Sequence, residues 1–346
     1  MKQHEILCLG HLHDERGLLR EPGWSRYPYL QYDRKRIRSP KYRIKEWDYY
    51  AVYSYTHNLW VTTTFSDLGY AGLFAIAVVD GKTGKWAQSD ALSVLPLGRH
   101  GLSPHSGDYD VGWANNVLRI AYSRQGEVRR ILAGAPDLTL AGHNTGVDLD
   151  ITLIQVPQQE SVNIATNWKE NRKAFYLNEK INPMGASGTV RIGDQTFELT
   201  PDTALGVLDW GRGVWTYRNR WYWASASGFQ DGVPYGFNFG YGFSDRSVAS
   251  ENAIIYNERI HKIGEVSFDI PSESYLDEWK ITDDQGRVEL TFHPVADRTS
   301  STNLLAVRSD QHQVFGFFEG ILILDEDIRL PVTRLAGFAE NVYNRY

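Results

Sequence analysis

The chain has 346 residues, with 42% hydrophobic, 13% aromatic and 23% charged residues and a net charge of −6. That balance excludes global disorder, and the acidic surplus excludes the basic footprint that nucleic-acid binding requires. The length exceeds the roughly 250–300 residues that one hydrophobic core fills, so two domains are expected.

From the N-terminus, Met1-Lys-Gln-His-Glu-Ile6 has no apolar signal core,. Cys8 is the single cysteine, which excludes an intrachain disulfide and a cysteine-based zinc site,. His11-x-His13 and the pair His100 and His105 have the residue type of metal ligands, but no carboxylate or cysteine stands at ligand spacing, so no metal is expected,. The basic stretch Arg34–Lys45 reads as a solvated segment leading into a strand. Trp47–Tyr55 and Leu59–Ser66 flank His57-Asn58 as a hairpin,. The longest uncharged apolar run, Leu73–Val79, is far short of the roughly 20 residues of a membrane span, and a cytoplasmic protein is the expectation,. Gly81-Lys-Thr-Gly-Lys85 lacks the spacing and hydroxyl residue of a phosphate loop; after Asp80 it reads as a turn,.

Val147, Leu149, Ile151 and Leu153 alternate with Asp148, Asp150 and Thr152, the pattern of a strand with one buried face,. The polar stretch Trp168–Lys173 is the best linker, dividing the chain into domains 1–170 and 171–346,. Beyond it, Val190–Ile192 turns at Gly193-Asp194 into Thr196–Leu199, and Trp221–Phe229 pairs with Tyr235–Phe243 through Asp231-Gly232. Arg287–Phe292 follows the turn at Asp283–Gly286, and a long apolar run occupies Gln313–Leu324. Turn signals every 8–12 residues predict an all-β chain of antiparallel barrels or sandwiches with little helix. Short helices are expected only at Asp245–Glu251 and Gly337–Arg345. Gly236, Gly240 and Gly242 precede no helix, so they predict a bent or closely approached strand and not a dinucleotide site,.

The densest chemistry lies in Leu208–Trp223, where one carboxylate, three arginines and six aromatic rings fall within sixteen residues. Residues two apart on a strand share a face, which aligns Asp209 with Gly211 and Gly213, and Trp221 with Trp223. Glycines beside an acid let a ligand or another backbone approach it. In an aromatic, low-dielectric surround Asp209 becomes a proton donor; the structural alternative is an ion pair from Asp209 to Arg212 or Arg218. No nucleophile elbow is present,.

Leu208–Trp223, Gly236–Phe243, Asp297-Arg298 with Thr302-Asn-Leu304, Ser309–Gly316, Ala339–Arg345 and Arg43–Tyr50 together resemble the family called domain of unknown function 2804. More distantly, Asp209-Trp210-Gly211 resembles an element of the hydroxyneurosporene synthase, tocopherol cyclase and Diels–Alderase group, although here the acid directly adjoins the tryptophan. That second resemblance implies two lipocalin-like β-domains packed together, with the ligand at a barrel mouth or between them.

The expected function is a cofactor-free enzyme of hydratase, lyase, isomerase or cyclase type, acting by acid catalysis on a largely apolar small molecule, isoprenoid or polyketide-like. Asp209 is the expected proton donor and Arg212 its partner, with His312 and Glu340 as further acid–base candidates,. Trp210, Tyr217, Trp221, Trp223, Asn238 and Tyr241 are the expected ligand wall,. Two alternatives remain open. One is a carbohydrate-active protein pairing Asp209 with Glu251, Asp297, Asp310 or Glu319,; the other is a non-catalytic lipocalin-type binder.

Overall fold

The structure, a computed structural model, describes residues 3–304 and 307–345, with the side chains of residues 302–307 also outside the description. The side chains of Thr302, Asn303 and Leu304, part of the family resemblance, therefore lie outside the described residues, as do Met1 and Lys2. Strand accounts for 61% of the chain and helix for 3%, so the fold is all-β as the turn spacing predicts. Among the described residues, no helix is long and apolar enough to cross a membrane.

Two curled half-barrel sheets form the molecule, the arrangement expected of two lipocalin-like domains. Along the first, the order is Trp86–Val94, Ala71–Asp80, Leu59–Asp67, Ile44–Ser54, Ala204–Val214, Phe175–Ile192, Val147–Ile154, Val128–Ala135, Arg119–Gln125 and Tyr109–Ala114. Val162–Asn167 and Gln195–Leu199 pair with the long strand Phe175–Ile192, and Gly23–Ser25 extends the sheet beside Val162–Asn167. The second sheet runs Arg259–Lys262, Ala253–Tyr256, Val233–Tyr241, Arg218–Gln230, Arg329–Arg345, Val307–Ile323, Val288–Leu304, Trp279–Asp283 and Val266–Asp269.

The expected hairpins form where their turn residues stand. Asn58 and Asp231 hold positive φ, at 54° and 52°, at the tips of their hairpins. Gly84 donates its N–H to Asp80, which closes the Gly81–Lys85 segment as a hairpin turn. Two expectations fail. Gly337–Arg345 is extended, because it completes Arg329–Arg345 between two neighbouring strands. Asp245–Glu251 forms turns, with the Asp245 carboxylate accepting hydrogen bonds from Ser247. The chain passes from one sheet to the other between Val214 and Arg218, whereas the polar stretch Trp168–Lys173 only links two strands of the first sheet.

Each curled sheet fills its concave side with apolar side chains, among them Tyr50, Phe65, Ile151 and Leu208 in the first and Phe237, Trp279, Phe292 and Phe318 in the second. The sheets then pack against each other through a further layer in which Tyr49, Tyr53, Trp60 and Val207 meet Trp223, Phe315, Phe317 and Phe338. A companion layer holds Trp24, Ile164, Tyr176 and Trp215 with Phe243, Ala253 and Ile255. Burying a side chain of this size contributes about 1.5–3 kcal/mol, so these layers hold the halves together. Ala204–Val214 is consequently buried along its entire length, with Leu208 and Trp210 facing the first core and Val207 and Asp209 facing the second sheet.

Candidate active site between the two sheets

Amid these aromatic layers the interface carries a buried polar cluster. Phe175–Ile192 runs antiparallel to Ala204–Val214 with Lys180 directly opposite Asp209. On the same face of the long strand, Tyr176, Asn178, Lys180 and Asn182 follow the period of two. Lys180 Nζ lies 3.0 Å from Asp209 Oδ2 and 3.8 Å from the centre of the Trp223 ring, and Asn178 Nδ2 donates to Asp209 Oδ1. Asn182 binds the second sheet directly, donating to Ser225 Oγ, Ala226 O and Phe237 O.

The second sheet supplies two carboxyls. Glu340 accepts hydrogen bonds from Trp221 Nε1 at 2.9 Å and Gln313 Nε2 at 2.6 Å, and Gln313 also donates to the Tyr49 hydroxyl. Burial pushes the Glu340 carboxyl from 4.5 up to about 7, against the pull of the Trp221 hydrogen bond and the charges of Arg298 and Lys180. Glu251 accepts from Tyr176 Oη at 2.8 Å, and burial raises its carboxyl as well, opposed by the Lys180 charge and the Tyr176 hydrogen bond. Gly240 makes room for it: a Cβ there would stand 2.0 Å from Glu251 Oε1. The closely approached strand foreseen around Gly236–Gly242 is thus approached by an acid.

The expected site residues divide between this cluster and other places. Asp209 and Glu340 belong to it, together with Trp221 and Trp223; Asn238 accepts from Trp223 Nε1 at 2.7 Å and donates to Glu251 O. Arg212 does not. Three residues along the strand from Asp209, it points to the opposite face, fully buried, where it binds Asp48 at 3.0 Å and the carbonyls of Trp47 and Ser103. Neither Arg212 nor Arg218 forms the Asp209 ion pair; Lys180 forms it. Gly211 admits no ligand, since a Cβ there would stand 2.1 Å from the Trp47 ring.

Trp210 faces the first core beneath the Arg212 guanidinium. Tyr217 is 46% exposed in the connection between the sheets. Tyr241 stacks on Tyr222 and accepts from the Phe268 N–H, away from the interface. His312 lies one residue from Gln313 and so on the other face, where it bonds Asp297 at 2.8 Å and stacks on Tyr275. Of the proposed carboxylate partners only Glu251 meets Asp209: Asp297 binds His312, Asp310 approaches Arg308, and Glu319 approaches His293. Among the described residues, no group of three or more His, Cys, Asp or Glu is arranged to hold a metal. Lys180 is the member that sequence reasoning missed. Its signal was the alternation Asn178-x-Lys180-x-Asn182 in a strand that opens on Phe175-Tyr-Leu177.

These acids are packed among aromatic side chains and do not line a wet groove. Asp209 and Glu340 are 7% and 8% exposed, so each keeps a little surface that water can reach. The model of the family described as domain of unknown function (DUF2804) matches residues 3–346. The chain belongs to that family. Its motif Asp209-Trp210-Gly211-Arg212-Gly213 thus splits by strand alternation, Asp209 serving the interface and Trp210 and Arg212 the first core. By sequence, none of the curated proteins matches this member of the domain of unknown function 2804 family. Among solved structures, it is similar to a protein from Nitrosomonas europaea given the provisional name AttH, at 14% identity and TM-score 0.53, covering 86% of this chain and 92% of that one. It is also similar to CghA in its structure with Sch210972, at 9% identity and TM-score 0.51, covering 96% and 97% of the two chains. At such identities the likeness extends to the two-sheet fold.

Proposed function

We propose that this protein is an enzyme of the hydratase, lyase, isomerase or cyclase kind that protonates a largely apolar small molecule between its two sheets. The observation carrying this reading is the Glu340 carboxyl, which burial holds near the pKa of about 7 that suits a general acid at neutral pH,. It sits with Asp209, Lys180 and Glu251 inside walls of Tyr49, Trp221 and Trp223. Glu340 therefore replaces Asp209 as the proposed donor. Asp209, held against Lys180, is the charge that offsets a cation developing on the substrate, and the indole faces add to it,. The proton leaves Glu340 for an alkene or a leaving hydroxyl, and the resulting carboxylate takes one back from water or from the adjacent carbon. The side chains present suffice for that cycle, so no cofactor is part of the proposal. CghA, solved with a small molecule, Sch210972, supports the two-sheet fold as a scaffold that can accept one.

The test is incubation of the protein in deuterated water with a panel of prenylated and polyketide-like alkenes, read by mass spectrometry. A hydratase adds D2O, an isomerase exchanges hydrogen for deuterium, and Glu340→Gln abolishes either signal. Binding without any mass change across the panel would instead assign a lipocalin-type carrier.

A further inference from the structure

Inside the first half-barrel, on the other side of Phe175–Ile192 from Lys180, lies a cavity of about 690 Å3. That volume is typical of a small-molecule site. Glu179 lines it, 3% exposed, and accepts hydrogen bonds from the hydroxyls of Ser106 and Ser161. Among the described residues, no lysine, arginine or histidine stands within 4.0 Å of the Glu179 carboxylate, and the Arg124 charge acts on it only from farther away. A buried carboxylate with no cation bound to it directly leaves a favourable seat for one.

One more polar atom of a lining residue is buried without a hydrogen-bond partner, the Trp210 Nε1 donor. Buried polar atoms are normally satisfied, so each such atom beside a cavity marks a place for a partner. Tyr27, Tyr29 and Tyr32 add aromatic surface, which attracts cations through the ring faces. Arg124 also lines the cavity, but its Nε and one terminal nitrogen are spent on the carbonyls of Gly126 and Ser106. It remains available to an acceptor elsewhere on the same ligand.

We propose that this cavity binds a small organic amine, its ammonium group seated on Glu179 and its ring against Trp210 and the tyrosines. The site is separate from the acid cluster at the sheet interface, because Glu179 and Lys180 alternate to opposite faces of the same strand.

Calorimetric titration with tryptamine, tryptophol and indole-3-acetate tests it, because the three share one ring and differ in charge. Tryptamine is expected to bind about tenfold or more tighter than tryptophol, the ratio of a charge-assisted over a neutral hydrogen bond, with indole-3-acetate weakest. Glu179→Gln, which keeps the shape and can still bond both serines, should erase the preference for the amine while leaving tryptophol affinity unchanged. Ala165→Phe, which fills the cavity, should abolish binding of all three and also serves where Glu179→Gln fails to fold. Equal affinity for amine and alcohol, an amine preference that survives Glu179→Gln, amine binding that survives Ala165→Phe, or no heat from tryptamine at its solubility limit each overturns the assignment.

Discussion

Replacing Glu340 by glutamine keeps the shape of the side chain and removes its ionisation. Burial pushes this carboxyl from 4.5 to about 7, so between those values the folded chain holds a proton that the unfolded chain has released. For a raised acid the folded state binds more protons in that window, so wild-type stability falls as pH climbs from 4.5 to about 7 and this group's contribution is level on either side,. At about 1.4 kcal/mol per unit, the shift corresponds to about 3 kcal/mol. Glutamine escapes that loss. Its NH2, however, must face one of two N–H donors, Trp221 Nε1 or Gln313 Nε2, and the hydrogen bond forfeited costs about 1 kcal/mol,. Glu340→Gln is therefore expected to be about 1 kcal/mol less stable than wild type near about pH 3.5, about equal to it near about pH 5, and about 2 kcal/mol more stable near about pH 9. Urea unfolding followed by tryptophan fluorescence across that range measures the difference, and because other groups titrate equally in both proteins they cancel. The reversal of sign is the signature. A difference that stays constant with pH would falsify the raised carboxyl and with it Glu340 as a neutral-pH acid.

Lys180→Met strands the Asp209 charge in a buried site and should destabilise by about 3–5 kcal/mol; adding Asp209→Asn should recover much of that, and a double-mutant cycle by urea unfolding reads the coupling,. Arg212→Lys should lower the melting temperature sharply, because a lysine cannot reach Asp48 and the Trp47 and Ser103 carbonyls together,. Since Arg212 faces away from the acid cluster, the folded fraction should keep its ligand affinity, and a selective loss of affinity would place Arg212 back in the site. Gly211→Ala drives a methyl into the Trp47 ring and should cost about 1–3 kcal/mol in the same assay, so unchanged stability would show that the ring can move aside,.

Much of the architecture was legible in the residues themselves. Val147–Ile154 alternates between buried and open positions because one face meets a core and the other meets water, and the sequence shows that contrast directly. Turns at Asn58 and Asp231 were legible for a local reason too, since these residue types tolerate the positive φ that the hairpins demand,. Such signals fail where both faces are covered. Ala204–Val214 is buried on either side, so nothing in Asp209-Trp210-Gly211-Arg212 says which residue faces which sheet, and adjacency in sequence suggested a partnership between Asp209 and Arg212 that strand alternation forbids. Gly337–Arg345 likewise looked like a terminal helix because its pairing with Arg218–Gln230, a strand far away in sequence, leaves no local signal.

The sequence by itself determined an all-β chain, its hairpins and its family, because these rest on local periodicity, turn chemistry and extended motifs, and it offered Asp209 and Glu340 as candidates by residue type alone. Only the tertiary structure decided that Lys180 pairs with Asp209, that Glu251 and Glu340 arrive from the other sheet, and that Arg212 is an anchor of the first core. Each of those contacts crosses between strands remote in sequence or between the two sheets, and the burial that raises Glu340 exists only once both sheets have closed over it.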